Sequence, residues 1–216
     1  MTHTVIMADD HILIRNAIAS LINTFPGFNV IHLAGNGTEL IQAIEEGIIP
    51  SIVILDLSMP KMDGYETAKW LNAKHPGIKI IILTIFDSEI AMIRLLNVGV
   101  KGFLKKDIHP NDLKQAMISI AQDGFYYSHE ITGKLGILFK KNNENQTSIE
   151  KAILSDADIN FMKLACSELT YKEIAIKMKI TPRAIDNFRD MLFDKLNIKS
   201  RVGLAIYAYK NGLVST

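Results

Sequence analysis

Two kinds of hydrophobic spacing divide the first 120 residues of the chain. Short runs of consecutive apolar residues alternate with stretches in which apolar residues recur every three or four positions. Consecutive runs are typical of parallel strands buried on both faces, and the wider spacing indicates amphipathic helices that cover them. The predicted strands are residues 4–8, 29–33, 52–55, 79–83 and 102–104. Five strand–helix units of this kind predict a doubly wound α/β domain.

Capping residues indicate where several helices of this region begin. Thr38 is a candidate N-cap of the second helix, Gly64 opens the third after a turn at 60–64, and Pro110 suits the first turn of the fifth. These positions leave a short loop between each strand and the helix that follows. Such loops are where an open parallel sheet binds its ligands.

From residue 155 onward the spacing is helical throughout. Hydroxyl, proline and glycine residues mark the helix ends: Ser155 with Asp158, Thr170 with Glu173, Thr181 with Pro182, Ser200, and Gly212. They predict an all-α four-helix domain. Its second and third helices are separated by a short turn, which is the arrangement of a helix-turn-helix.

A polar stretch separates the two patterns. Residues 140–148, Lys-Lys-Asn-Asn-Glu-Asn-Gln-Thr-Ser, contain no periodic apolar positions, as is typical of a linker. The length of 216 residues also exceeds the usual single domain of about 150 residues. We therefore predict a first domain at 1–125, a linker at 126–150 and a second domain at 151–216.

Charge and composition add less to the picture. Residues 1–149 carry 13 basic and 15 acidic side chains, whereas residues 150–216 carry 11 and 8, a mild indication of a nucleic-acid partner for the second domain. No apolar run approaches the roughly 18 residues of a membrane span, so we expect a cytoplasmic protein without membrane association. The single cysteine, Cys166, has no disulfide partner and is interpreted as a small buried residue.

Polar residues follow four of the predicted strands. Asp9 and Asp10 follow the first, Asp56 ends the third, Thr84 ends the fourth and Lys106 follows the fifth. Singly, each is explained as a helix cap or a solvated end, but the carboxyl ends of parallel strands meet at one crevice. Three close carboxylates repel one another, and Mg²⁺ with its oxygen ligands relieves that repulsion. A carboxylate beside such an ion can attack a phosphoryl donor, with the lysine and the threonine binding the phosphoryl oxygens.

Two stretches resemble signatures of response-regulator receiver domains, which have a CheY-like, flavodoxin-like (βα)5 fold. Residues 55–64, Leu-Asp-Leu-Ser-Met-Pro-Lys-Met-Asp-Gly, resemble the phosphoacceptor signature, and residues 102–107, Gly-Phe-Leu-Lys-Lys-Asp, resemble the strand-five motif. The resemblance implies phosphorylation by a sensor histidine kinase. It also implies residue roles: Asp56 as acceptor, Asp9, Asp10, Asp56 and the backbone carbonyl of Ser58 as Mg²⁺ ligands, Lys106 as a phosphate contact, and Thr84 with Phe103 as a switch pair. His11, beside the acid pair, is interpreted only as a helix-start residue.

The helical domain has a resemblance of its own. The helix after Thr181 repeats apolar residues at spacings of three and four, which any small bundle would show. Residues 153–212, however, resemble a LuxR-type helix-turn-helix, including Lys-Glu-Ile-Ala at 172–175, Lys-Leu at 195–196 and Ser-Arg at 200–201. With the receiver, this is the NarL/FixJ arrangement, which implies a homodimer on double-stranded DNA when phosphorylated. The candidate DNA contacts are Lys172, Thr181, Arg183, Asn187, Arg189, Lys199 and Arg201.

One residue of the helical domain departs from the family pattern, and it leaves other functions possible. Asp186 stands where many members of the family carry a lysine, and a carboxylate there repels phosphate or selects cytosine amino groups. A receiver-controlled protein-interaction regulator with weak or no DNA binding is therefore the alternative function. The acidic crevice also suits a phosphatase, but no further acid–base residue is evident. We expect no enzymatic activity beyond self-phosphorylation and slow self-dephosphorylation.

Overall fold

The computed structural model describes residues 2–85, 89–127 and 154–214, and these residues form two units with separate hydrophobic cores. The first unit contains the sheet and the second contains the C-terminal helices. The polar stretch at 140–148 and most of the predicted linker lie outside the described residues. Among the residues described, no helix is long and apolar enough to cross a bilayer.

Within the described residues, a parallel sheet of six strands organises the first unit. Its strands are β1 (His3–Ala8), β2 (Phe28–Ala34), β3 (Ile52–Leu55), β4 (Lys79–Thr84), β5 (Gly102–Lys105) and β6 (Tyr126–Tyr127). Its helices are α1 (Ile12–Asn23), α2 (Gly37–Glu45), α3 (Gly64–Lys74), α4 (Glu89–Asn97) and α5 (Pro110–Asp123). The strand order is β2-β1-β3-β4-β5-β6, and every pairing is parallel. The predicted α/β fold is confirmed, and five strands match their predicted bounds to within one residue at each end.

Burial explains why those five strands can be recognised. All four residues of β3 are buried, and β1 and β4 are buried along most of their length, because helices cover both faces of the sheet. The two half-buried tyrosines of β6 form too short a segment to show such a pattern. Because β6 pairs with β5, the sheet extends two residues beyond the predicted domain end at residue 125.

The start of α2 differs from the prediction. Asn36 is its N-cap, with Oδ1 accepting a hydrogen bond from the Glu39 backbone N at 3.1 Å, whereas Thr38 already lies inside the helix. Asparagine is at least as good a cap as threonine, so the earlier residue starts the helix. The predicted helix starts at Gly64 and Pro110 are confirmed.

Residues 154–214 of the second unit form four helices: α6 (Asp156–Ala165), α7 (Tyr171–Met178), α8 (Pro182–Leu196) and α9 (Arg201–Lys210). Both predicted capping boxes are present, at Ser155 with Asp158 and at Thr170 with Glu173. Phe161, Ile174 and Leu192 are among the buried residues around which the helices pack. The all-α prediction is thus confirmed.

The interpretation of Cys166 as a buried residue is wrong. Cys166 is exposed at the C-terminal cap of α6, one position beyond the buried Ala165. A residue at a helix end can leave the packed face even when its neighbour in sequence belongs to the core.

Candidate functional site

Asp9, Asp56 and Lys106 meet at the carboxyl end of the sheet. Asp9 follows β1 and Asp56 follows the adjacent β3, while Lys106 follows β5. The Lys106 Nζ lies 2.9 Å from Oδ2 of Asp9 and 2.9 Å from Oδ2 of Asp56. All three side chains are almost completely buried. The Lys106 backbone N also donates to the Thr84 carbonyl at 2.9 Å, which fixes the lysine to the end of β4.

Asp10 and His11 lie beside Asp9 and Asp56 and complete an acidic cluster. Side-chain ligand atoms of Asp9, Asp10, His11 and Asp56 all lie within 4.8 Å of one another. The His11 Nδ1 is 2.9 Å from Asp10 Oδ1, and the His11 backbone N donates to Asp9 Oδ1 at 2.9 Å. His11 is the N-cap of α1, as the sequence suggests, but its ring also joins the cluster. Its position directly after the acid pair is the signal that could have identified it.

The donor atoms of this cluster suit a hard divalent cation. The Asp9 Oδ2 is buried and accepts no well-directed hydrogen bond from a described residue, because the Lys106 contact at 2.9 Å is a close ion pair of poor hydrogen-bond geometry. Carboxylate oxygens are the ligands that Mg²⁺ and Ca²⁺ prefer. Ser58 lies half-buried in the loop two residues after Asp56.

Burial and charge shift two pKa values in the cluster. Burial raises the pKa of Asp56 above its ordinary value, and it outweighs the opposing hydrogen bond and charge of Lys106. Burial alone would lower the pKa of Lys106, but its close contacts with the Asp56 and Asp9 carboxylates outweigh burial, so the net shift of the pKa is upward. The ammonium group therefore stays charged, yet it does not fully compensate the carboxylates around it. A further cation would favour the ionised form of Asp56.

Two further residues hold the loops of the site. The Arg15 NH1 donates to the Asp9 carbonyl at 2.7 Å and to the Ala34 carbonyl at 3.3 Å, which ties α1 to the ends of β1 and β2. A Cβ atom at Gly64 would overlap the Asp56 carbonyl oxygen, so α3 can begin this close to the site only with glycine. Gly64 has a sequence signal. Arg15 has none, because its partners are backbone carbonyls.

Thr84 and Phe103 lie in the adjacent strands β4 and β5. Thr84 is completely buried at the carboxyl end of β4, and Phe103 is buried within β5 opposite Ile82. The two proposed switch residues thus lie on adjacent strands, two register positions apart, since Thr84 pairs with Lys105.

The second unit contains a helix-turn-helix formed by α7 and α8. The turn consists of Lys179 in a left-handed conformation, Ile180 and Thr181. Thr181 caps α8, because its hydroxyl oxygen accepts a hydrogen bond from the Ala184 backbone N at 3.2 Å. Ile185 and Leu192 of α8 are buried, which leaves the opposite face of the helix in solvent.

The seven candidate DNA contacts divide into two groups. Five are exposed: Lys172, Thr181, Arg183, Asn187 and Lys199. Arg189 and Arg201 are half-buried and have intramolecular partners. Arg201 donates through Nε to the Ala165 carbonyl at 2.7 Å and through NH2 to the Ser167 carbonyl at 2.6 Å. Arg189 forms ion pairs with two aspartates of its own helix.

Comparisons with known proteins agree with both halves of this architecture. Residues 5–118 match the model of the response regulator receiver domain, and residues 152–208 match that of the bacterial regulatory proteins of the luxR family. The chain is 28% identical over 207 residues to the nitrate/nitrite response regulator protein NarL of Escherichia coli (strain K12), covering 96% of this chain and 95% of NarL. It is 28% identical over 215 residues to the transcriptional regulatory protein LnrK of Bacillus subtilis (strain 168), covering 97% of each.

A solved structure supports the same fold. RcsB from Salmonella enterica serovar Typhimurium, bound to promoter rprA in the presence of phosphomimetic BeF3-, matches with a TM-score of 0.70 at 22% identity. The match covers 96% of this chain and 98% of RcsB. The chain belongs to the response-regulator receiver family and is a response regulator of the NarL/FixJ type, with a receiver domain followed by a LuxR-type DNA-binding domain.

Proposed function

We propose that Asp56 is the phosphoryl acceptor and that a sensor histidine kinase is the donor. The observation that carries this proposal is the contact between the buried Asp56 carboxylate and the Lys106 ammonium at the carboxyl end of the sheet, 2.9 Å apart. An Asp56 oxygen forms the bond to phosphorus while the bond from phosphorus to the donor's imidazole nitrogen breaks, and the imidazole leaves with that electron pair. Lys106 then turns from the carboxylate to a phosphoryl oxygen, and its ammonium group offsets the negative charge of that oxygen.

The acidic cluster is the proposed Mg²⁺ site. We infer that Asp9, Asp10, Asp56 and the backbone carbonyl of Ser58 hold the ion, in keeping with the oxygen donors found there. When bound, Mg²⁺ supplies the positive charge that lets a phosphoryl group approach several carboxylates. Arg15 holds the Asp9 backbone in position through its carbonyl.

Labelling with a small phosphoryl donor tests the acceptor. Acetyl phosphate with Mg²⁺ should add one phosphoryl group to the wild-type chain, detected by intact-protein mass. Asp56→Asn should remain unlabelled, whereas Asp63→Asn should label normally because Asp63 caps α3 and asparagine caps equally well. Equal labelling of wild type and Asp56→Asn would assign the acceptor to another residue.

The switch to the active state is proposed to involve Thr84 and Phe103. Phosphoryl oxygens at Asp56 would offer the Thr84 hydroxyl a strong acceptor, and its movement would open space into which the Phe103 ring turns. Thr84→Ala should therefore accept the phosphoryl group but fail to increase DNA binding after phosphorylation.

We further infer that the output is binding of paired DNA half-sites by a phosphorylated homodimer, with α8 in the major groove. Arg183 and Asn187, which are exposed near the N-terminal end of α8, are the proposed contacts to base edges. Lys172 and Lys199 are proposed phosphate contacts, with Thr181, Arg189 and Arg201 as the remaining candidates. In this proposal a linker starting after β6 joins the receiver to the domain at 151–216, and the protein acts in the cytoplasm, where it meets DNA.

One observation favours a second candidate, a regulator that acts by protein contacts with weak or no DNA binding. The acidic and basic side chains of α8 balance, and Arg189 is already paired. A gel shift with promoter fragments from the organism's own genome separates the two functions. Binding that is lost in Arg183→Ala supports the DNA-binding function, and no shift at any salt concentration supports the alternative.

A further inference from the structure

Arg189 in the middle of α8 is held by three side chains. Its NH1 lies 3.1 Å from Oδ1 of Asp186, and its NH2 lies 2.8 Å from Oδ1 of Asp190. Its Nε donates to that same Asp190 oxygen at 2.9 Å. Its Cζ lies 5.2 Å from the centre of the Tyr171 ring in α7. The guanidinium group is therefore neutralised by two carboxylates of its own helix.

The whole of α8 has no net charge. It carries Arg183, Arg189 and Lys195 against Asp186, Asp190 and Asp194. The Lys195 ammonium lies 2.9 Å from Asp158 Oδ2 in α6, so it too is paired. Of the three cationic side chains of α8, Arg183 alone makes no ion pair within the described part of the chain. A helix of this kind gives little of the sequence-independent attraction that phosphates exert on a DNA-binding surface.

We propose that Asp186 and Asp190 form a carboxylate clamp that withholds Arg189 from DNA phosphate and so sets the specificity of this domain. The inference rests on the proposed function, in which α8 enters the major groove. With Arg189 clamped, sequence-independent affinity is low, and stable binding depends on base contacts by Arg183 and Asn187. Asp186 and Asp190 thus act as specificity-determining residues without touching DNA.

The clamp is open to competition by solvent and ions. The side chains of Asp186 and Asp190 are 56% and 64% exposed, and ion pairs in such positions are individually weak. Removing the two carboxylate charges should therefore free Arg189 without unfolding the helix, because Ile185 and Leu192 keep α8 packed.

The test compares Asp186→Asn/Asp190→Asn with wild type on DNA of random sequence, over a range of salt concentrations. A freed Arg189 adds about one phosphate contact, so the slope of log K against log salt should become steeper by about 0.9, and affinity at about 0.1 M salt should rise about eightfold. Affinity for the cognate site should rise less, which lowers the ratio of specific to non-specific binding.

Two controls separate the clamp from simple removal of negative charge. Adding Arg189→Ala to the double variant should cancel the gain, because the gain needs the freed guanidinium. Asp194→Asn removes one carboxylate charge from the same helix, against two in the double variant, and Asp194 has no described contact with Arg189, so this control should change the slope by less than half as much. Each of three outcomes would overturn the clamp: an unchanged slope in the double variant, an equal gain in affinity without Arg189, or an equal gain in affinity from Asp194→Asn. Absence of DNA binding by wild type and every variant, even at the lowest salt, would instead overturn the proposed function.

Discussion

At the scale of single residues, burial and ionisation oppose each other at Asp56. Burial raises the pKa of this carboxyl, so without divalent ions the fold favours the protonated form. The contribution of protonated Asp56 to the stability of the folded state is complete below the ordinary carboxyl pKa. It is lost as pH rises through the raised pKa of the folded state. The uncharged variant Asp56→Asn should consequently be more stable than wild type at neutral pH, by about 1.4 kcal/mol for each pKa unit of the shift.

Thermal unfolding in a chelator measures this difference. The gap in Tm between Asp56→Asn and wild type should be present at about pH 7.5 and close as pH falls toward about 4, where wild type is itself protonated. The exposed Asp107 supplies the control, because Asp107→Asn changes the same charge without relieving burial. A gap that is independent of pH would show that burial of the charge is not its cause.

A second residue-scale prediction concerns Arg201, which joins α9 to the end of α6. Two charge-assisted hydrogen bonds to the carbonyls of Ala165 and Ser167 give it a structural role. Arg201→Ala should lower the free energy of unfolding of the helical domain by about 2 kcal/mol, measured in urea. Lys199→Ala, two residues earlier and exposed, should leave stability unchanged while weakening DNA binding. Equal free energies of unfolding for the two variants would contradict the structural role of Arg201.

The residues of the receiver pocket can be predicted from sequence because each follows a strand end. A strand end is visible as the last residue of an apolar run, and parallel topology brings such ends together. Arg15 and Arg201 could not be predicted in their structural roles, since both bind backbone carbonyls of distant segments. Any residue offers such a carbonyl, so no sequence motif marks the partner.

At the scale of elements, the start of α3 fixes the position of Asp56. The Gly64 backbone N donates to the Leu57 carbonyl at 3.0 Å, and a side chain at this glycine would overlap the Asp56 carbonyl oxygen. Gly64→Ala should displace the loop that holds Asp56 and reduce labelling by acetyl phosphate at least tenfold, equivalent to about 1.4 kcal/mol. The matched control is Gly77→Ala, because a Cβ there would meet no atom within 4 Å. Normal labelling of Gly64→Ala would show that the close approach is dispensable.

Two features of the secondary structure, the start of α2 and the strand β6, could not be predicted correctly from the sequence. Short runs of consecutive apolar residues predicted five strands, and capping residues predicted the helices of the second unit. The cap of α2 was misassigned because Asn36 and Thr38 are both good N-cap residues two positions apart, and only the conformation of the chain decides between them. β6 was missed because it belongs to the sheet through pairing with β5 rather than through its own composition.

At the scale of the whole molecule, the chain consists of two units whose cores share no residue. One core is built on β1, β3 and β4 with α1 and α5, and the other on the four C-terminal helices. Separate cores predict two unfolding transitions in calorimetry. Mg²⁺ with beryllofluoride, a phosphoryl mimic, should bind the proposed phosphoacceptor pocket in its native form and raise the Tm of one transition only. Asp56→Asn should abolish that increase, and Arg201→Ala should lower the Tm of the other transition. A single transition that moves as a whole in every case would mean that the two units unfold as one cooperative structure. The signal from Asp56 would then reach α8 through that shared stability rather than through pairing of independent domains.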